Sequence, residues 1–89
     1  MNVRVKKGIL YFSAPWCGPC KQLGPKMEQL AESGVPVKKI NTDYEASLVE
    51  KYGIKTVPTL VITDLEGNEI KRMQGAGKTV QQLNEWYNG

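Results

Sequence analysis

The chain has 89 residues, 40% hydrophobic and 24% charged, with 12 basic and 9 acidic side chains and a net charge of +3. That suffices for one compact domain over residues 1–89 and is too little for two, in proportions ordinary for a globular protein. The basic residues are scattered rather than interleaved with aromatics, which argues against nucleic-acid binding, and nothing approaches the roughly 20 apolar residues of a membrane span.

The segment Met1 to Lys7 is basic, but the apolar run behind it covers only Ile9 to Phe12, short of the about 7–15 residues of a signal peptide. The chain as given is therefore read as cytoplasmic, where thiols are kept reduced and a disulfide is reactive rather than structural. Ile9-Leu10-Tyr11-Phe12 is a continuous apolar run, the pattern of a strand buried on both faces. Val3-Arg4-Val5 either extends that strand or forms a stub of its own. Beyond Ser13-Ala14-Pro15-Trp16-Cys17-Gly18-Pro19-Cys20, the residues Cys20, Leu23, Met27, Leu30 and Ala31 recur at helical spacing and make one apolar stripe. Pro25 inside that helix supplies no N–H and is expected to kink it, and Ser33-Gly34 ends it.

Val35 to Asn41 reads as a second strand. Thr42-x-x-Glu45 matches a capping box opening a short helix, with Leu48, Val49 and Tyr52 facing inward and Gly53 ending it. Thr59 to Ile62 is a third strand, and Asp64 to Asn68 a hairpin turn into a fourth from Glu69 to Met73. Thr79-x-x-Gln82 is a second capping box, starting a helix that buries Val80, Leu83 and Trp86 or Tyr87. The order β-α-β-α-β-β-α predicts an α/β fold: a mixed four-stranded sheet, its first two strands parallel, with helices on both faces.

Cys17 and Cys20 are the two cysteines. At the start of a helix their spacing brings both sulfurs to one end of the first turn, where the open N–H groups and the macrodipole favour a thiolate, the attacking species in disulfide exchange. Cys17 is expected to be the exposed attacker, and Cys20, on the apolar stripe, the buried resolving thiol. A closed zinc site needs a full tetrahedral ligand set, and the chain has no histidine and no second cysteine pair. Gly18-Pro19 is poor filler for an ordinary helix, so two inert core cysteines are the weaker reading. Beyond the redox-active pair no cofactor or metal is expected.

Trp16-Cys17-Gly18-Pro19-Cys20-Lys21 resembles the thioredoxin family, and the likeness runs from about residue 8 to 88. Pro25 sits where that family has its helix proline. Lys39-Ile40-Asn41-Thr42-Asp43 is similar to its strand-to-helix segment, Tyr52-Gly53-Ile54-Lys55-Thr56-Val57-Pro58-Thr59 to the stretch with its cis-proline, and Gly75-Ala76 to its substrate-loop glycine segment. By itself Pro58 reads as a proline at a strand start; the resemblance implies a cis Val57-Pro58 bond and a Val57 backbone that pairs with the substrate chain. It further implies a shallow, largely apolar platform of Trp16, Gly18, Pro19, Val57, Pro58, Gly75 and Ala76 around Cys17, able to hold an extended segment through main-chain hydrogen bonds. Trp16 also fits a core aromatic; beside the nucleophile the docking role is preferred.

Three departures from the family pattern stand out. Full-length relatives carry a further strand and helix before the Ile9 strand, so the chain resembles a trimmed member. Tyr11 stands where many members have a buried aspartate that takes the proton of the resolving cysteine. A phenol of pKa ~10 is no base near neutrality, so Cys20 is expected to lose its proton through water or to Lys39; Tyr11 equally fits a plain buried strand aromatic. Gln74 and Thr42 replace residues that are usually apolar, which predicts a more polar docking surface. The resemblance implies a protein-disulfide reductase and electron carrier, acting as a monomer on disulfide-containing target proteins and recharged by a thioredoxin reductase or an equivalent donor, without nucleic-acid or membrane partners. The alternatives are a glutaredoxin-like reductant linked to glutathione, against which Gly18-Pro19 argues, and a binding subunit whose thiols are incidental.

Overall fold

The two most apolar runs form the centre of the sheet. The computed structural model describes residues 7–89, so Val3-Arg4-Val5 lies outside the described residues. Strand β1 (Lys7–Ser13) leads into helix α1 (Gly18–Glu32), followed by β2 (Val37–Asn41), α2 (Ala46–Tyr52), β3 (Thr59–Asp64), β4 (Glu69–Gln74) and α3 (Val80–Asn88). The predicted element order holds, and the strands lie in the order β2-β1-β3-β4. β1 pairs with β2 in parallel and with β3 antiparallel, and β4 closes the far edge antiparallel to β3. Mixed pairing follows from the connections: α1 crosses over between β1 and β2, whereas a tight turn joins β3 to β4.

Alternation along each strand sorts side chains to the two faces. Ile9, Tyr11, Leu60 and Ile62 turn to the face covered by α1, through Leu23, Met27 and Leu30, and by α3, through Leu83. Phe12, Ile40 and Val61 turn to the opposite face, where α2 packs Tyr52, Leu48 and Val49. The ring of Tyr52 meets Phe12 edge-on at 6.1 Å.

Helix ends follow local chemistry where side chains are free to act. Ser33 caps α1 and Gly34 behind it takes φ 105°; Gly53 ends α2 at φ 61°, a left-handed conformation that glycine adopts without a Cβ penalty. Thr79 and Gln82 form the reciprocal capping box of α3 as predicted. The box predicted at Thr42 does not form. The Asn41 side chain accepts the Asp43 N–H, the N–H groups of Tyr44 and Glu45 turn to the Asn41 carbonyl, and α2 starts only at Ala46, with no side-chain cap at Glu45. β2 starts at Val37 rather than Val35: Pro36 has no N–H to give, and only its carbonyl reaches β1, accepting from Ile9.

Candidate active site

The sharp bend between β1 and α1 builds the site. The Cys17 N–H bonds to the Ala14 carbonyl at 3.1 Å, closing a turn that leaves Pro15 and Trp16 exposed. Cys17 is the N-cap of α1, with Gly18 and Pro19 opening the helix, where a proline displaces no intrahelical bond. Its sulfur accepts the Cys20 N–H at 3.2 Å and is joined to the Cys20 sulfur in a disulfide, with the two Cα atoms 5.3 Å apart.

The expectation of an exposed Cys17 is corrected here. Cys17 is 4% exposed and Cys20 5%. As N-cap, Cys17 turns its sulfur back over the first turn onto Cys20, and Ala14 and the half-buried Val57 pack around both. The two cysteines are equally enclosed, and what distinguishes Cys17 is the backbone N–H its sulfur holds.

Val57 approaches from the loop before β3, and the Val57-Pro58 peptide bond is cis, as the resemblance implied. Pro58 is buried, and its carbonyl accepts the Gly75 N–H at 3.1 Å. That bond draws the segment after β4, containing Gly75 at φ 94° and half-buried Ala76, toward the dithiol's side of the sheet. Gly18 and Pro19 are exposed on the first turn of α1. Trp16 is 70% exposed, and its indole N–H reaches the Asp43 carboxylate at 3.3 Å. Trp16 and Val57 share a hollow of about 400 Å³ with Thr42, Val49 and Lys55.

Behind the dithiol, an open cavity of about 390 Å³ is lined by Cys20, Tyr11, Lys39, Glu28 and Asn41 among others. Tyr11 and Lys39 are register partners on β1 and β2. Lys39 is exposed, and the buried Tyr11 phenol donates to the Cys20 carbonyl at 3.0 Å. Burial pushes that phenol above its ordinary 10.0, the hydrogen bond with Ser13 offsetting only part of the effect. Among the described residues no cluster of three or more metal-ligating side chains occurs, and no helix is long and apolar enough to cross a membrane.

Sequence reasoning missed Asp43 and Glu28. Nothing in the local pattern marks Asp43 as the indole's partner. Glu28 was legible: Cys20, Gly24 and Glu28 follow one another at helical spacing along one side of α1.

A four-stranded mixed sheet flanked by three helices, with a Cys-x-x-Cys disulfide at the head of the first, has the architecture of the thioredoxin fold. The sequence model of the Thioredoxin family matches residues 2–88, and the chain belongs to that family. Thioredoxin of Pyropia yezoensis is 46% identical over 57 residues, 61% of this chain and 53% of its own. Thioredoxin 1 of Synechococcus elongatus is 40% identical over 71 residues, 76% of this chain and 65% of its own. The chain thus spans between half and two thirds of the length of these curated relatives. Among solved structures, Fasciola hepatica thioredoxin superposes with a TM-score of 0.82 at 31% identity, covering 96% of this chain and 81% of its own. A thioredoxin-2 described as a component of malaria parasite protein secretion machinery superposes with a TM-score of 0.83 at 22% identity, covering 98% of this chain and 85% of its own, and speaks for the fold alone.

Proposed function

We propose that this chain is a protein-disulfide reductase and electron carrier whose working group is the Cys17–Cys20 dithiol. The observation that carries the reading is the disulfide at the head of α1, in which the Cys17 sulfur already accepts a backbone N–H from Cys20. In the reduced protein that N–H and the helix dipole favour an anionic Cys17 sulfur. The Cys17 thiolate attacks one sulfur of a target disulfide, forming a Cys17–target bond and releasing the other target sulfur as a thiolate. Cys20 gives up its proton to water in the cavity it shares with Lys39. Its thiolate then attacks the Cys17 sulfur, frees the second target thiolate and closes the intramolecular disulfide. Two electrons pass to the target; the oxidised pair described above is the product state.

The Cα separation of 5.3 Å lies inside the span a disulfide bridges without backbone movement, which suits reversible closure. Trp16, Gly18, Pro19, Val57, Gly75 and Ala76 form the docking surface, with Pro58 beneath it. The chain works without a cofactor, as a monomer in a reducing compartment such as the cytoplasm. Disulfide-containing proteins are its targets, and a dithiol reductase rather than glutathione recharges it, in keeping with Gly18-Pro19 between the cysteines. The test is insulin disulfide reduction with dithiothreitol as donor. The wild type accelerates the reaction and Cys17→Ser does not; equal rates for the two would overturn the reading.

A further inference from the structure

The loop that follows β4 is held by a residue the dithiol chemistry does not use. The ammonium of Lys26, half-buried on α1, donates to the carbonyl of Ala76 at 3.1 Å and to that of Lys78 at 2.8 Å. These carbonyls lie between the end of β4 at Gln74 and the cap of α3 at Thr79, outside any helix or strand ladder. Glycines at positions 75 and 77 leave that backbone freer than other residues would, so its order must be supplied from outside. One restraint is the Gly75 N–H on the Pro58 carbonyl. Lys26 supplies two more, both charge-assisted.

Their origin matters as much as their number. Lys26 rides on the helix whose N-cap is Cys17, roughly 13 Å further along its axis at ~1.5 Å per residue. One rigid element therefore carries the nucleophile and also fixes the far wall of the surface a target chain must meet.

We propose that Lys26 is a positioning residue that sets the Gly75–Lys78 loop for docking of an extended target polypeptide, an inference that rests on the protein-disulfide reductase reading above. Removing its hydrogen bonds leaves the dithiol intact and lets the loop wander, so a target finds the docking geometry in a smaller fraction of molecules and binds more weakly in proportion.

The experiment compares wild type, Lys26→Met and Lys26→Arg in steady-state insulin reduction and in hydrogen exchange of the Gly75 amide, which is bonded to the Pro58 carbonyl. Lys26→Met, of similar length and without donors, is expected to raise KM ~5-fold with kcat held, and to speed exchange at the Gly75 amide. Lys26→Arg, whose guanidinium carries N–H donors for two carbonyls, is expected to restore both. Unchanged exchange in Lys26→Met would show that the lysine does not hold the loop. Faster exchange with unchanged KM would show that targets do not use it, and a fall in kcat would place the effect at the dithiol; each outcome overturns the proposal. Insulin reduction by Cys17→Ser at the wild-type rate would instead remove the reductase reading, while exchange would still report whether Lys26 holds the loop.

Discussion

The phenol of Tyr11 donates its proton to the backbone carbonyl of Cys20 rather than to either sulfur. A tyrosine in this place thus ties β1 to the first turns of α1. Its raised pKa has the same sense: the neutral phenol is the form the fold favours, so its contribution is fully present below about pH 10 and is lost as pH climbs through the folded value. Tyr11→Phe is therefore expected to lose ~1 kcal/mol of stability, the worth of one neutral hydrogen bond, with no change in the pH profile of disulfide reduction. Denaturant unfolding and rate–pH curves check the two halves; a displaced profile would put the phenol back on the proton path.

The two cysteines are equally enclosed, so accessibility alone does not choose between them. The N–H held by the Cys17 sulfur does. In the reduced protein near neutral pH, iodoacetamide is expected to alkylate Cys17 well ahead of Cys20, read by peptide mass spectrometry after brief exposure. Equal labelling, or labelling of Cys20 first, would reverse the assigned roles.

Trp16 contributes little to the core and much to the face beside the dithiol. Trp16→Ala is expected to change stability by less than ~0.5 kcal/mol, as for exposed positions generally. Loss of its exposed ring should raise KM for insulin roughly five-fold with kcat held, the size of ~1 kcal/mol at a contact aromatic. A large drop in melting temperature would instead assign the indole a folding role.

Acid reaches the β3–β4 turn through Asp64. The Asp64 carboxylate accepts the backbone N–H groups of Glu66 and Asn68, each at 2.9 Å, and these bonds, that from Asn68 foremost, hold its pKa below the ordinary 3.8. A depressed folded value means the stabilisation is in full force above the unfolded pKa and disappears as pH falls through the folded one. The amide shifts of Glu66 and Asn68 are expected to titrate below pH 3.8 in the wild type and to be flat in Asp64→Ala. A midpoint at or above the ordinary carboxylate value would contradict the hydrogen-bond account.

The sequence was most legible where one short segment decided the outcome. The two apolar runs became the central strands β1 and β3, and the Thr79 box capped its helix because nothing nearby competed for its partners. At Thr42 the same pattern failed because the N–H of Glu45, the donor the box needs, went to the backbone carbonyl of Asn41 instead. Backbone carbonyls and side-chain oxygens contend for the same donors, and the pattern does not record which one prevails. The site divided along the same line. The cysteine pair and its place at the start of a helix were local and could be read. The enclosure of Cys17 depended on Val57, and the hold of Lys26 on Ala76 and Lys78 joins residues distant in the chain, so neither left a mark in its own neighbourhood.

The recessed sulfurs impose a condition on clients. A cystine locked inside a rigid globule offers no edge that can be lowered past Val57 and the Ala14 turn. One carried on a pliant, protruding strand does, whatever its side chains. On the proposed reductase reading, discrimination among substrates rests on mechanical compliance, and misfolded or partly opened proteins are expected to outcompete their native forms for the same electrons.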